Sequence, residues 1–158
     1  MELDRDFREF IELLNEHKVD YLVVGGYAVN FHGYPRYTKD IDFWIWMTPE
    51  NIAHLIEAIK AFGFGSLNLE ISDFLTPENI IQLGYEPYRI DLMVDVDGVD
   101  FQSCYERRIE AEMDGIEINF LSLQDLITAK LHAARIQDLA DAEQLRIIQE
   151  KKNKNNQS

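Results

Sequence analysis

The sequence predicts an α+β (α/β-like) chain: a small, mixed, twisted sheet with helices around it and a helix pair at the C-terminal end. Three observations predict it. Short apolar or alternating runs over 20–24, 39–47, 79–83, 87–96, 110–113 and 116–121 have the length of strands. Segments with apolar residues three and four apart fall between them, as in helices that cover a sheet. The chain has 158 residues, 46% hydrophobic and 28% charged, which is the balance of one globular domain. That domain is expected over 1–151, followed by a disordered polar tail, KKNKNNQS, of which 152–158 lies outside the fold.

Each element has its own signal. Residues 2–18 carry Phe7, Phe10, Ile11, Leu13 and Leu14 at mixed helical spacings, so they form an amphipathic helix. Residues 20–24 make a first strand, and 26–31 a short helix directly after Gly25 and Gly26. Residues 39–47 make the second strand. Thr48 is a helix N-cap and Pro49 takes the first helical position, with the helix ending near Gly63. The stretch 63–77 holds at most a short helix near 69–74. Two strands, 79–83 and 87–96, meet at a turn containing Gly84. Residues 100–107 form a short helix or loop. Asp114-Gly115 between the runs 110–113 and 116–121 marks a hairpin. Ser122, with Asp125 three residues on, opens a helix through a capping box over 122–136, and 138–151 forms its partner.

The net charge of −14 argues against a broad nucleic-acid footprint, because neutralising phosphate dominates such binding. It leaves room for a cation-dependent phosphate site, since the bound ion reverses the local sign. No apolar run reaches the roughly 18–20 residues of a membrane helix. The start, MELDRDFREF, lacks a signal-peptide layout. The lone Cys104 has no partner for a disulfide. A soluble protein of a reducing cytoplasm is expected.

The chemistry concentrates between Tyr21 and Ile45. Asp40 and Asp42 flank Ile41, so on a strand they face the same way. Acids beside the apolar run Phe43-Trp44-Ile45-Trp46 are costly unless something pairs with them, and a hard divalent cation does so. A third acid, Asp91, alternates with Ile90 and Leu92 and is expected on a neighbouring strand. Asp40, Asp42 and Asp91 can then hold one or two Mg²⁺ ions that grip a triphosphate, with Asp91 accepting a proton from an attacking hydroxyl. Gly25 and Gly26 let the backbone approach phosphate and admit positive φ. Arg36, Thr38 and Lys39 lie just ahead of the acids and could add phosphate contacts. The histidines His17, His54 and His132 show no zinc-ligand spacing, and His32 reads as a packed or capping residue.

Gly-Gly, a spacer, Asp-Ile-Asp and a later lone strand aspartate resemble the nucleotidyltransferase superfamily of polymerase-β type. GGYAVNFHGYPRYTKDID and the later Lys130-Leu-His-Ala-Ala-Arg135-Ile-Gln-Asp138-Leu-Ala-Asp141 are similar to its minimal prokaryotic subgroup, which includes abortive-infection type toxins and small antitoxin or antibiotic-modifying members. The resemblance covers roughly 20–146. It implies transfer of a nucleoside monophosphate from a nucleoside triphosphate such as ATP, with Mg²⁺, to a hydroxyl on a small molecule, a tRNA end or a protein. It also implies that Lys130 and Arg135 point toward the nucleotide phosphates while Asp138 and Asp141 orient the helix pair. The toxin relatives carry a longer C-terminal helical region that builds much of the acceptor site. The alternative is therefore a binding-only member that takes nucleotide, or a partner in a toxin–antitoxin pair.

Overall fold

The computed structural model describes residues 3–85 and 88–156. Its centre is a six-stranded mixed sheet in the order β3-β4-β2-β1-β6-β5. The strands are β1 (Tyr21–Val24), β2 (Ile41–Ile45), β3 (Ile80–Leu83), β4 (Ile90–Met93), β5 (Ile109–Met113) and β6 (Ile116–Phe120). β1 pairs antiparallel with β2 and parallel with β6, and β2 pairs parallel with β4. The outer strands β3 and β5 run antiparallel to β4 and β6. This is the α+β architecture the sequence predicts.

Among the described residues six α-helices surround the sheet: α1 (Arg5–Glu16), α2 (Gly25–Phe31), α3 (Pro49–Ile59), α4 (Phe101–Glu106), α5 (Leu123–Ala133) and α6 (Ile136–Asn156). α1 buries Phe7, Phe10, Ile11 and Leu14, one stripe of its surface, and Asp4 caps it by accepting from the Asp6 N–H. Thr48 accepts from the Asn51 N–H at the start of α3, with Pro49 next, as its sequence predicts.

The two faces of the sheet are covered differently. Phe43 of β2 meets Phe10 of α1 edge-on at 5.5 Å, and Tyr21 of β1 meets Phe43 at 5.7 Å. Trp44 points the other way and meets Phe101 of α4 at 5.2 Å. By the two-residue period, Asp42 shares the Trp44 face, so the acids open away from α1 and toward α4 and α5.

Several expected boundaries shift. Residues 60–64 continue α3 as a π-type turn in which Gly63 adopts φ 106°, and 3-10 turns follow at Gly65–Leu67 and Ile71–Phe74. The strand expected over 87–96 is confined to Ile90–Met93, and its first expected residue, Pro87, lies outside the described residues. The Asp114-Gly115 turn places both residues at positive φ, as a tight hairpin requires. At Ser122 one limb of the capping box forms, the Asp125 N–H donating to Oγ. The Asp125 carboxylate instead takes the Ser122 hydroxyl and two nitrogens of Arg107. α6 runs to Asn156, so most of the tail expected to be disordered is helical. No helix among the described residues is long and apolar enough to cross a membrane.

The break between α5 and α6 comes at Ala134, earlier than the sequence predicts, with φ 57° and its N–H donating to the Lys130 carbonyl. An alanine in that region is strained where glycine is not. Ala134→Gly is expected to raise unfolding free energy by roughly 0.5–1 kcal/mol, net of glycine's greater chain entropy, read from urea denaturation.

His32, at the C-terminal end of α2, is buried and donates from Nε2 to the Leu121 carbonyl at 2.7 Å. Burial holds its imidazole below the ordinary histidine range. The unfolded chain therefore binds more protons than the folded one as pH drops below about 6.5, so this group lowers stability on acidification. His32→Gln keeps a donor for Leu121 and removes the titration. The slope of stability against pH between about 6.5 and 5 is expected to be shallower in the variant by chemical denaturation.

Candidate active site

β1 ends where the glycines begin, and its antiparallel register with β2 sets Val24 opposite Asp42. Gly25 has φ 67°, and a Cβ built on it would stand 2.0 Å from Asp42 Oδ2. The diglycine is thus a seat for an aspartate as well as a turn: any side chain at 25 would displace the carboxyl. Gly26 lies under Thr38, whose Oγ1 would be 2.9 Å from an added Cβ and which donates to the Asp40 carbonyl at 3.1 Å.

β2 and β4 run parallel with Asp42 in register with Asp91. The two carboxyls therefore emerge on the same face from neighbouring strands. Burial first, then the adjacent negative charges of Asp91 and Asp40, push Asp42 up to about 7. Asp40 sits just before β2, and its Oδ1 is buried without a hydrogen-bond partner among the described residues.

Arg89, which sequence reasoning assigned no role, joins this cluster. Its Nε donates to Asp91 Oδ1 at 2.8 Å, and its Nη2 lies 3.2 Å from Asp91 Oδ2 and 3.1 Å from Asp40 Oδ2. The available signal was its position two residues before Asp91, hence on the same strand face.

The cluster differs from the expected Mg²⁺ cage in one respect. Among the described residues no group of three His, Cys, Asp or Glu side chains converges as a ready cation site. A guanidinium bridges two of the three acids instead. The residues nonetheless fit a hard divalent ion. The donors are all carboxylate oxygens, one of them buried and unpartnered, and they lie beside a backbone with no side chain in the way.

Across the acids lies a cavity of about 170 Å³ lined by Gly25, Asp42, Met93, Lys130, Arg135 and Asp138, among others. α5 and α6 supply its cationic wall. Lys130 Nζ contacts Asp138 at 3.2 Å and Asp141 at 3.0 Å, and Arg135 Nε contacts Asp138 at 2.7 Å. Burial alone would raise the Asp138 pKa, but hydrogen bonds from Arg135 and Lys130 outweigh it and hold the carboxyl below its usual range.

The structure thus brings Gly25, Asp42, Lys130 and Arg135 to one cavity, and Asp40 and Asp91 to one guanidinium. Arg36 goes elsewhere. Its Nη1 pairs with Asp141, which is fully buried and also accepts from Gln137 Nε2 at 2.8 Å. Arg36 and Thr38 line a neighbouring cavity of about 370 Å³ with Tyr27, Asn30 and Tyr37. Asn30 fixes that loop, accepting from the Arg36 N–H at 2.8 Å and donating to the Arg36 carbonyl at 2.7 Å. Lys39 is exposed and makes no ion pair among the described residues.

Among solved structures, the chain is similar to the lincomycin-bound lincosamide antibiotic adenylyltransferase LnuA, at 18% identity and a TM-score of 0.59, covering 93% of this chain and 98% of that one. It is equally similar in fold to a candidate nucleotidyltransferase from Thermotoga maritima, at 21% identity and a TM-score of 0.59, covering 93% and 92%. These likenesses show the fold. A search of curated proteins finds no significant match. A family model described as "Nucleotidyltransferase of unknown function (DUF6036)" matches residues 1–152. With nearly the whole chain matched, the protein belongs to that nucleotidyltransferase family.

Proposed function

We propose that the protein transfers a nucleoside monophosphate from a nucleoside triphosphate to a hydroxyl acceptor, with Mg²⁺ bound among Asp40, Asp42 and Asp91. The observation that carries this reading is the in-register pair Asp42–Asp91 on parallel strands, with Asp42 seated against Gly25 in the cavity that Lys130 and Arg135 line. The bound cation would neutralise triphosphate oxygens and polarise the phosphorus under attack.

The chain's own groups supply the rest. Gly25 and Gly26 leave backbone open to the phosphates. Lys130 and Arg135, fixed by Asp138 and Asp141, bind the triphosphate from the opposite wall. Thr38 and Lys39 sit on the loop just ahead of Asp40, flanking the triphosphate's approach, and Arg36 ties that loop to α6 through Asp141. The acceptor oxygen forms a bond to the α-phosphorus, the bond to the bridging oxygen breaks, and pyrophosphate leaves. The Asp91 carboxylate takes the acceptor proton. A cavity of about 170 Å³ is smaller than the roughly 300 Å³ that encloses a drug-sized ligand, so it suits the triphosphate while the base extends outward. The acceptor is a small molecule, a tRNA end or a protein side chain. Cys104, buried and pushed up to about 12 by burial first, is an unreactive thiol that suits a reducing cytoplasm.

A thermal-shift screen of four nucleoside triphosphates with Mg²⁺ or EDTA tests the ligand. The melting temperature is expected to rise only with nucleotide and Mg²⁺ together. An equal rise in EDTA would sink the cation-bridged site. The activity test is Mg²⁺-dependent release of pyrophosphate, lost in Asp42→Ala.

One observation favours a second reading. Arg89 already neutralises two of the acids, as suits a binding-only member or an antitoxin-type module that docks a partner protein. In that case nucleotide with Mg²⁺, or the partner, raises the melting temperature and no pyrophosphate appears.

A further inference from the structure

We propose that Arg89 is a built-in counter-ion of the acid cluster: it holds Asp40 and Asp91 together before a divalent cation arrives, and competes with that cation for both carboxylates. The inference rests on the reading above that these acids bind a cation.

The geometry is that of a forked, charge-assisted bridge. Nε and Nη2 engage the two oxygens of Asp91 at 2.8 and 3.2 Å, and the same Nη2 reaches Asp40 Oδ2 at 3.1 Å. The three side chains are only partly exposed, at 25% for Arg89, 28% for Asp40 and 13% for Asp91. Among the described residues no other lysine or arginine pairs with Asp40 or Asp91. Separating those carboxylates from their one guanidinium would leave negative charge facing negative charge in a half-dry cleft. A cation entering the cluster must take oxygens that the guanidinium now holds, and two cations on the same oxygens repel. Arg89 is thus a positioning residue with a sign: it preassembles the acids and weakens the cation's grip on them. Its place two residues before Asp91, just ahead of β4, puts it within reach of both acids.

A purely structural tie and a competing counter-ion predict opposite outcomes when the charge is removed. A tie predicts that the acids splay and bind metal more weakly. A competitor predicts tighter binding. Mn²⁺ affinity, measured by electron paramagnetic resonance of the free ion without nucleotide, distinguishes them and needs no turnover. Arg89→Gln is expected to bind Mn²⁺ about tenfold more tightly than the unmodified protein, with Arg89→Lys between them. Asp42→Ala is the control that lowers binding in every background. Equal or weaker Mn²⁺ binding by Arg89→Gln, with a cooperative melt retained, overturns the inference and leaves the cation site standing. No Mn²⁺ binding by any form overturns the cation site and this inference with it. If Arg89→Gln does not fold, the unmodified protein decides. On titration with Mg²⁺, the ¹⁵N-detected Nε–H signal of Arg89 is expected to shift with the midpoint of metal binding. A signal unmoved at saturation overturns the proposal.

Discussion

Asp42→Asn is expected to abolish pyrophosphate release, by roughly a thousandfold or more, while making the protein more stable. The two effects have one cause. Asp42 is pressed against Gly25, sits in register with Asp91 and is pushed up to about 7, by burial first and then by its acidic neighbours. Without a cation, its charge at neutral pH is a cost that the fold carries. Asparagine keeps the shape, removes the charge and can donate to the Asp91 carboxylate. The expected gain is about 1–2 kcal/mol, a rise in melting temperature of roughly 3–6 °C for a chain of this size, by calorimetry in EDTA. In saturating Mg²⁺ with nucleotide the order reverses, because only the aspartate form gains binding energy from the ligand. A variant that loses stability in EDTA would show that the carboxyl is structurally required, and the strained-site reading of Asp42 would be wrong.

The sheet was largely legible because its signals are local. The apolar runs over 41–45 and 90–93, a Thr-Pro helix start and an Asp-Gly hairpin each depend on a few neighbouring residues, and each forms as its chemistry dictates. The pairing of Asp42 with Asp91 was also within reach, since a period of two fixes which face each acid takes. The partners of the cations were not. Arg36 stands a few residues ahead of Asp40 in sequence, yet Asp141 on α6 claims it, because a fully buried carboxylate must collect every cation within reach. The period of two puts Arg89 on the same strand face as Asp91, but nothing local says that the same guanidinium also reaches Asp40. The helix break at Ala134 was missed because alanine is the best helix former. There the packing of α6 back on α5 overrides propensity.

Gly25→Ala is expected to damage both stability and activity severely. Two costs combine. The φ of 67° is unfavourable for any residue with a Cβ, by about 1 kcal/mol. The added methyl would also meet Asp42 at 2.0 Å from Oδ2, 3.0 Å from Cγ and 3.2 Å from Cβ, so the carboxyl must move away from Asp91. The sum is expected to be roughly 3 kcal/mol or more of unfolding free energy, with pyrophosphate release lost. Gly26→Ala is the matched control: its φ is ordinary, and its new neighbour is the rotatable Thr38 hydroxyl at 2.9 Å with Cβ at 3.0 Å, so its cost is expected to be smaller. A double-mutant cycle separates the two terms. In an Asp42→Ala background the Oδ2 and Cγ contacts are gone, and Gly25→Ala should cost only the backbone term and the residual Cβ contact. A coupling of at least about 1 kcal/mol between positions 25 and 42 is therefore expected from urea denaturation of the four proteins. Strict additivity would mean that the glycine serves the turn alone, and that the aspartate does not depend on it for its place.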